Sequence, residues 1–443
     1  RCGQTFPVIV RLTVDEFYEK LGHPERGIRL DEGVQIAKDL EKFGVNALNV
    51  SIAGQDTTFL VTESLRYVPG WRNYLTRAVK AAVSIPVIGV SVTRTPTQAE
   101  QQLQNGDQDF IGLGRPLLAD PDWANKAKSG QAHAITRCIG CLYCMDRFSQ
   151  DMLNEKPIEC AVNPITCHEK DYPSIPKDGN SQKVTVIGAG VSGLYAAKLL
   201  AQRGFSVQVF EKEPQAGGQI NLADKPPHKE RIHWCIEDLE RQAKAAGVEI
   251  KYETELTPEQ IAAEKPYAVF LATGSTEIVP NIEGVRQDFV TTVSPVLTGS
   301  VKLQNQRVAV IGSGMTGLET AETLLRDGNQ ITVVEMADRI APGASGINLQ
   351  EILQALEAGK VTFMPKMKLA KIGDHEITLQ STANGAQTTL PADAVVLSLG
   401  VRGNHTLYEK LKDKCRCYEI GNAAVPGRIA EAIRSGFEAA RCL

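Results

Sequence analysis

The chain has 443 residues, of which 42% are apolar and 23% are charged, and its formal net charge is −4. Such a length predicts roughly two or three domains, and the small negative charge excludes the basic field of a protein that binds nucleic acid or an anionic membrane. No apolar run is long enough for a transmembrane helix, and no secretory leader is visible, so we expect a cytoplasmic location. The chain starts at Arg1, which we interpret as the start of a fragment.

Residues 1–130 alternate short apolar strands with amphipathic helices. Such alternation predicts parallel strands in an α/β architecture. Only four such units are present, whereas a closed (β/α)8 barrel needs about 250 residues. The region is therefore a small open α/β domain or half of a barrel. The predicted strands are 6–13, 47–52, 86–91 and 110–115, and the predicted helices lie near 31–44, 71–83, 96–105 and 121–128.

Residues 131–182 lack periodicity and combine a cysteine cluster with a linker rich in Pro, Asn and Asp. Three cysteines follow one another at intervals of three residues, and a fourth comes later. That spacing favours a [4Fe–4S] cluster, whereas structural zinc more often uses two separated CxxC pairs. The alternatives are a zinc site and a group of cysteines that binds no metal. Cys167 is the other candidate for the fourth ligand. The predicted metal ligands are Cys138, Cys141, Cys144 and Cys160.

Residues 183–443 contain an internal repeat in which 183–212 resembles 307–336. Each copy reads as a strand, a GxGxxG turn, a helix and a second strand that ends in Glu. In such a turn the first glycine allows the tight bend, the second lets the backbone approach a pyrophosphate, and the third lets helix and strand pack closely. The anion then lies on the helix amino terminus. The glycines are Gly188, Gly190 and Gly193 in the first copy and Gly312, Gly314 and Gly317 in the second.

Glu211 and Glu335 end the second strand of each copy and are suited to the ribose hydroxyls of an adenosine. A 2′-phosphate would meet a like charge at Glu335, and the next residues, Met336 and Ala337, offer no arginine to clamp it. We therefore predict NADH rather than NADPH.

The two nucleotide modules, one interrupting the other, resemble the flavoprotein disulfide-reductase superfamily. The resemblance implies FAD in the first module and NAD(H) in the second. The late family motif usually reads Gly-Asp, whereas this chain has Gly-Asn, which can still form hydrogen bonds but carries no charge. Further FAD-binding residues implied by the match are Gly218, Gln219, Thr273, Gly274, Gly421 and Asn422.

The order of segments along the whole chain resembles the iron–sulfur flavoenzymes of the old yellow enzyme superfamily. These enzymes include 2,4-dienoyl-CoA reductase, 2-enoate reductases, bile-acid enone reductases and trimethylamine dehydrogenase. The match rests on Gly-Leu-Gly-Arg-Pro-Leu-Leu-Ala-Asp-Pro-Asp-Trp (112–123), the cysteine cluster, Ala-Val-Asn-Pro (161–164) and the two nucleotide modules. It implies FMN in a (β/α)8 barrel, with Gly114 and Arg115 at the FMN phosphate and Arg11 near the flavin pyrimidine edge.

Two features of the first region qualify this resemblance. The loop after the third strand, usually Gly-Arg or Asn-Arg in the family, reads Ser91-Val92 here, so one phosphate contact is expected to be missing. Tyr67 is suited either to a substrate pocket or to the core, and the other aromatics appear scattered. The catalytic proton donor cannot be named from this sequence.

The predicted fold class is therefore α/β: the carboxyl-terminal half of a (β/α)8 barrel, an iron–sulfur segment and two nested Rossmann-like domains. The predicted domains are 1–130 for FMN, 131–182 for the cluster and linker, 183–300 with 390–443 for FAD, and 301–389 for NAD(H).

The resemblance implies electron flow from NADH through FAD and a [4Fe–4S] cluster to FMN, and then to an activated C=C bond. An amine dehydrogenase and a diaphorase-like electron-transfer module are the alternatives. We expect a small-molecule substrate and no nucleic-acid or membrane partner, and a homo-oligomer stays open.

Overall fold

The structure is a computed structural model that describes residues 3, 6–151, 154–344 and 346–443. It divides into two compact units, residues 1–145 and 146–443. Within the described part of the chain, every helix is too short or too polar to span a bilayer.

The first unit contains a parallel sheet with the strand order β1-β2-β3-β4. Its strands are β1 (Ile9–Thr13), β2 (Ala47–Ser51), β3 (Val87–Gly89) and β4 (Phe110–Ile111), and its helices are α1 (Leu30–Lys42), α2 (Asn73–Lys80), α3 (Pro96–Gln104), α4 (Arg115–Ala119) and α5 (Trp123–Lys128), with α6 (Tyr143–Asp151) at the boundary with the second unit. Short 3₁₀ turns lie at Tyr18–Leu21, Thr58–Leu60 and Ala132–Ala134. The predicted alternation of strands and helices is confirmed.

Burial explains why these segments form a parallel sheet. Leu48, Val50 and Val87 are at most 3% exposed, as expected for strands covered on both faces. The fourth strand is shorter than predicted because the chain leaves the sheet after Ile111 and α4 begins at Arg115, with Gly114 as its N-cap. The sheet has four parallel strands, half the number in a closed (β/α)8 barrel.

The second unit contains two parallel five-stranded sheets. The first has the strand order β19-β8-β5-β6-β7 and consists of β5 (Lys183–Ile187), β6 (Ser206–Phe210), β7 (Glu249–Lys251), β8 (Ala268–Leu271) and β19 (Cys417–Glu419). The second has the order β10-β17-β11-β12-β13 and consists of β10 (Val290–Thr292), β11 (Arg307–Ile311), β12 (Gln330–Val334), β13 (Thr362–Met364) and β17 (Ala394–Leu397). Strands β10 and β17 lie just outside the range 301–389 that the sequence suggested for this module.

Two smaller antiparallel sheets complete the second unit. One contains β14 (Met367–Ile372), β15 (Glu376–Ser381) and β16 (Gln387–Pro391), and the other pairs β9 (Ser275–Glu277) with β18 (Val401–Gly403). The helices are α7 (Val191–Gln202), α8 (Ile220–Ala223), α9 (Trp234–Ala245), α10 (Pro258–Ala263), α11 (Val293–Thr298), α12 (Met315–Arg326), α13 (Ile347–Ala358), α14 (Thr406–Leu411) and α15 (Ile429–Cys442), with 3₁₀ turns at Glu230–His233 and Gly421–Ala423.

The predicted repeat is the structural centre of this unit. In each copy a buried strand (β5 or β11) leads through the glycine turn into a twelve-residue helix (α7 or α12), and the next strand pairs beside the first. Both glycine turns therefore lie at the carboxyl end of a central parallel strand, where open α/β sheets bind their ligands.

Candidate functional site

The first glycine of each turn has a conformation that other residues rarely adopt. Gly188 has a φ of +103° and Gly312 has a φ of +105°. A Cβ at these positions would lie 2.4 Å from the Ala272 oxygen and 2.2 Å from the Ser398 oxygen. Both positions therefore require glycine for a steric reason as well as a conformational one.

In both copies the third glycine is tightly packed, whereas the second glycine has open space beside it. A Cβ on Gly193 or Gly317 would lie 2.1 Å from the carbonyl oxygen of the first glycine of its turn, so helix and strand touch there. A Cβ on Gly190 or Gly314 would have no described atom within 4 Å. The backbone at the second glycine is thus open on the side where a pyrophosphate would approach.

The helix that follows each turn begins without a side-chain cap. Gly190 and Gly314 are the N-caps of α7 and α12, and neither helix start has a side-chain hydrogen bond. The first backbone N–H groups of these helices therefore stay available to an anion, and the helix dipole favours a negative charge there.

Each predicted carboxylate folds back onto its own glycine turn. The Ala189 N–H donates to Glu211 Oε2 at 2.7 Å. In the second copy, the backbone N–H and the hydroxyl of Ser313 donate to Glu335 Oε2 at 3.0 and 2.7 Å. The two carboxylates are each 7% exposed, so both are held in place beside the turn.

The electrostatics of Glu335 bear on its charge state. Burial alone would raise the pKa of Glu335, but hydrogen bonds from Ala337 and Ser313 outweigh burial and lower that pKa. Glu335 is therefore ionised at neutral pH and presents a negative charge beside the turn.

The other residues predicted to bind FAD lie close to the first turn or to one another. A Cβ on Gly218 would lie 3.9 Å from Gly190 Cα. Asn422 Nδ2 donates to Gln219 Oε1 at 2.6 Å, and Gln219 Nε2 donates to Ser275 Oγ at 2.8 Å. The Asn422 amide thus bonds to Gln219, another residue predicted to bind FAD, and a contact of Asn422 with FAD stays a prediction.

Three further residues predicted to bind FAD, Thr273, Gly274 and Gly421, shape the backbone of their own loops. The Thr273 hydroxyl donates to the Asn404 carbonyl at 3.0 Å. Gly274 and Gly421 have positive φ values of 71° and 61°, which glycine adopts at no steric cost.

In the first unit, Arg115 is bound by a buried glutamate. Arg115 Nη1 donates to the Glu63 carbonyl at 2.8 Å, and Nη2 donates to Glu63 Oε2 at 3.1 Å. Glu63 also accepts a hydrogen bond from Trp71 Nε1 at 3.2 Å and forms an ion pair with Arg72 at 3.2 Å. Glu63 is 2% exposed, so its carboxylate is enclosed by these partners rather than by solvent.

The other predicted FMN residues of this unit are more accessible. Arg11 is exposed, and its Nη1 donates to Asn49 Oδ1 at 2.5 Å. Gly114 precedes α4, and a Cβ there would have no described atom within 4 Å. The Gly114 backbone is therefore open to a ligand.

The three closely spaced cysteines lie on a tightly turned segment of the first unit. Cys138 and Cys144 are buried and Cys141 is half-buried. Gly140 and Leu142, which separate them, have φ values of +72° and +63°. Burial and the neighbouring Cys138 raise the pKa of the Cys144 thiol.

Cys160 belongs to the second unit and is half-buried, and Cys167, its rival, is exposed. None of the nine described cysteines forms a disulfide. Among the side chains that the structure describes, no group of three or more His, Cys, Asp or Glu is placed to hold a metal ion. The iron–sulfur cluster therefore stays a prediction.

Arg94 shows that the cysteine segment is suited to an anionic group. This guanidinium is 2% exposed, and its Nη1 donates to Cys138 Sγ at 2.9 Å and to the Cys138 carbonyl at 3.0 Å. Its Nε and Nη2 have no hydrogen-bond partner among the described residues. A buried cation with unmatched N–H groups is costly, and a cluster held by thiolates carries the negative charge that would balance it.

Three aromatic side chains of the first unit form a group that the sequence did not predict. The Trp71 ring centroid lies 4.8 Å from that of Tyr67 and 5.9 Å from that of Phe17. Lys20 Nζ lies 5.1 Å from the Phe17 and Trp71 ring centroids, which is within cation–π distance. The aromatics of this region are therefore not scattered, and this group, the aromatic trio, already contacts an ammonium ion.

Two family models match most of the chain, on either side of the cysteine segment. Residues 182–425 match pyridine nucleotide-disulphide oxidoreductase, and residues 1–134 match the NADH:flavin oxidoreductase / NADH oxidase family. The chain belongs to the NADH:flavin oxidoreductases fused to a pyridine nucleotide-disulphide oxidoreductase domain. The first region is thus a portion of a (β/α)8 barrel, which decides between the two interpretations that the sequence left open.

Similar proteins in this family of NADH:flavin oxidoreductases carry different names. The chain is 36% identical to the NADH oxidase of Thermoanaerobacter brockii over 99% of the chain and 67% of that relative. It is 30% identical to the cinnamate reductase of Clostridium sporogenes over 100% of the chain and 67% of that relative. A solved 2-naphthoyl-CoA reductase in complex with 2-naphthoyl-CoA matches with 26% identity and a TM-score of 0.91 over 100% of this chain and 66% of that one. The chain spans about two thirds of the length of these relatives.

Sequence reasoning missed Glu63, Arg72 and Arg94. Each belongs to a loop or helix start rather than to a motif, and each matters because it is a buried charge. The Ser91-Val92 loop, which contacts Arg72, was a signal in the sequence. It predicted that one phosphate contact is missing, but it did not show that another arginine lies at the same place.

Proposed function

We propose that this chain oxidises NADH and transfers the electrons to an activated C=C bond, such as that of a 2-enoate, an enoyl-CoA or an enone. The proposed order of carriers is NADH, FAD, [4Fe–4S] and FMN. NADH would give up two electrons and one proton as a hydride. Because a [4Fe–4S] cluster carries electrons only, that proton would be released at FAD, and the two hydrogens that the product gains would both come from solvent. When bound, the cofactors supply the redox chemistry, while the protein positions them and excludes competing reactions.

The observation that carries this proposal is the pair of glycine turns. Each combines a first glycine with a positive φ, a second glycine with an open backbone and a third glycine in close contact, and each ends in a buried carboxylate. These are the features that a dinucleotide requires. Two such turns in one unit support one site for FAD, at Gly188–Glu211, and one for NADH, at Gly312–Glu335.

The proposed substrate class rests on the relatives. Two of them are named cinnamate reductase and 2-naphthoyl-CoA reductase, and each match covers 100% of this chain and about two thirds of the relative. Cinnamate is an unsaturated acid and 2-naphthoyl-CoA is an aryl thioester. The metal ligands we propose are Cys138, Cys141, Cys144 and Cys160, with Arg94 donating to Cys138 Sγ. Arg11, Gly114 and Arg115 are proposed to contact FMN.

An anaerobic assay tests this function. The protein is reduced with one equivalent of NADH, and cinnamate, an aliphatic 2-enoate, an enoyl-CoA and a steroid enone are then added separately. We expect one acceptor to reoxidise the flavins, with one C=C bond reduced for each NADH consumed. Reduction of ferricyanide without reduction of any unsaturated acceptor would instead indicate a diaphorase-like module. The same assay with NADPH tests the proposed preference for NADH.

The aromatic trio supports a second candidate, an amine dehydrogenase. Quaternary and protonated amines bind to such groups of aromatic rings, and the chain is 30% identical to the N,N-dimethylglycine/sarcosine dehydrogenase of Chromohalobacter salexigens over 94% of its length. In this structure the Lys20 ammonium already contacts the rings, which disfavours a substrate cation there.

The discriminating experiment for this candidate uses dimethylglycine, sarcosine and trimethylamine as reductants of the oxidised protein. An amine dehydrogenase would bleach the flavins with one of them, and Lys20→Ala would lower the KM for that amine. A C=C reductase would show no bleaching with either protein.

A further inference from the structure

Arg72 lies at the start of α2 and is fixed by the loop that follows β3. Its Nε donates to the Val90 carbonyl at 2.6 Å and lies 3.2 Å from Glu63 Oε1. Its backbone N–H donates to Ser91 Oγ at 3.4 Å. Arg72 therefore contacts the loop in which this chain has Ser91-Val92 in place of the arginine expected from its family.

One end of the Arg72 guanidinium is left without an acceptor. The residue is 4% exposed, and its Nη1 has no hydrogen-bond partner among the described residues. Arginine keeps its proton in proteins, so this N–H group stays a charged donor. A buried donor without an acceptor is costly, which makes this atom a preformed contact for an anion.

The charges around Arg72 favour an anion with more than one negative charge. Burial lowers the pKa of Arg72; Glu63 opposes this effect, and the positive charges of Arg11 and Arg115 lower the pKa further. Glu63 also pairs with Arg115. Arg72 and Arg115 therefore share one buried carboxylate, and Arg11 adds a third positive charge that acts on Arg72, which leaves an excess of positive charge.

We propose that Arg72 binds the phosphate of FMN and takes the place of the arginine that is missing after β3. The inference rests on the proposed function, because it requires FMN in the first unit. In (β/α)8 barrels, phosphate sites often form from the loops after the seventh and eighth strands, and β3 and β4 correspond to those strands if the sheet is the second half of a barrel. Glu63 acts as a positioning residue that orients Arg72 and Arg115 toward the same phosphate.

Discrimination between FMN and riboflavin tests this role, because the two differ only in the phosphate. Binding to protein depleted of FMN is measured by quenching of flavin fluorescence, in this chain and in any longer protein that contains it. The variants are Arg72→Gln and Arg72→Lys. The matched control is Arg77→Gln, which removes an arginine of the same helix that is 58% exposed and pairs with Asp107.

We expect Arg72→Gln to raise the Kd for FMN at least about tenfold, since a charge-assisted hydrogen bond is lost, and to leave the Kd for riboflavin unchanged. Arg72→Lys keeps the charge but loses the oriented Nη1 donor, so FMN should weaken severalfold without a change for riboflavin. Arg77→Gln should affect neither flavin. Inorganic phosphate should compete with FMN in the unaltered protein and less well in Arg72→Gln.

The outcomes separate this inference from the proposed function. If Arg72→Gln weakens FMN and riboflavin by the same factor, Arg72 is only structural and the inference is wrong. If the variants bind FMN as the unaltered protein does, the inference is wrong but the FMN site stands. If the unaltered protein shows no preference for FMN over riboflavin, the phosphate site and the FMN step of the proposed function both fail.

Discussion

The two units offer anions two different kinds of contact. In the second unit the contacts are backbone groups, because the helix starts lack a side-chain cap and no described atom lies within 4 Å of where a Cβ on Gly190 or Gly314 would be. In the first unit they are guanidinium groups, held by Glu63 or placed beside Cys138. A backbone contact depends on the absence of side chains and is therefore visible as a motif. A side-chain contact depends on tertiary neighbours, so only the structure reveals it.

The largest effect is expected at the third glycine of the second copy. In Gly317→Ala the Cβ would lie 2.1 Å from the Gly312 oxygen, so helix and strand must separate, at a cost of about 3 kcal/mol or more. We expect the rate of FAD reduction by NADH to fall about 100-fold, with normal FAD content. Thr316→Ala, at the exposed neighbouring position, is the control, and stopped-flow absorbance is the measurement. Normal FAD reduction in Gly317→Ala would contradict the close packing described here.

A smaller effect is expected at the second glycine. Gly314→Ala adds a methyl group to open space, so the melting temperature should not change. The methyl group would occupy the path of the pyrophosphate, and we expect the KM for NADH to rise roughly tenfold. A variant that melts earlier but binds NADH normally would reverse the roles of Gly314 and Gly317.

In the first unit, removal of the Arg94 charge should lower the midpoint potential of the proposed iron–sulfur cluster. A buried cation beside Cys138 stabilises the more negative, reduced state of a cluster, so Arg94→Gln should lower the midpoint potential by about 60 mV, equivalent to a tenfold change for one electron. Redox titration followed by electron paramagnetic resonance measures this shift. Arg94→Lys should lower the potential less. An unchanged potential at full iron content would show that Arg94 does not contact the cluster.

The smallest effect concerns the choice of nucleotide. Glu335→Gln removes the charge that would repel a 2′-phosphate, so the ratio of kcat/KM for NADPH to that for NADH should rise severalfold at pH 7. Because the pKa of Glu335 is lowered, its contribution to stability is present above pH 4.5 and is lost as the pH falls below that value. A ratio that does not change would direct attention to Arg339, the exposed arginine four positions later, and Arg339→Gln tests that residue directly.

Much of the fold could be predicted from the sequence, for reasons that specific residues show. The strand–turn–helix repeat was predictable because Gly188 and Gly312 are required by local backbone geometry, and Glu211 and Glu335 follow at the ends of the paired strands. The four units of the first region were predictable from apolar periodicity.

The arginine sites were not predictable in this way. Arg72 and Arg94 resemble ordinary surface arginines in the sequence, and their burial and their bonds to Val90 and Cys138 arise only from the tertiary fold. The aromatic trio was missed because Phe17 is distant in sequence from Tyr67 and Trp71 and joins them only through the fold. The role of Cys160 as the fourth ligand of a cluster stays a prediction.

The shared glutamate also affects how the protein should be handled. Arg72 and Arg115 both pair with the Glu63 carboxylate, and the positive charge of Arg11 also acts on Arg72. Any anion that binds there only in the folded state will stabilise the first unit by mass action. We therefore expect the melting temperature to be higher in phosphate buffer than in an uncharged buffer of equal ionic strength. For the same reason, we expect phosphate buffer to keep more of the first unit folded during the removal of flavin than an uncharged buffer does.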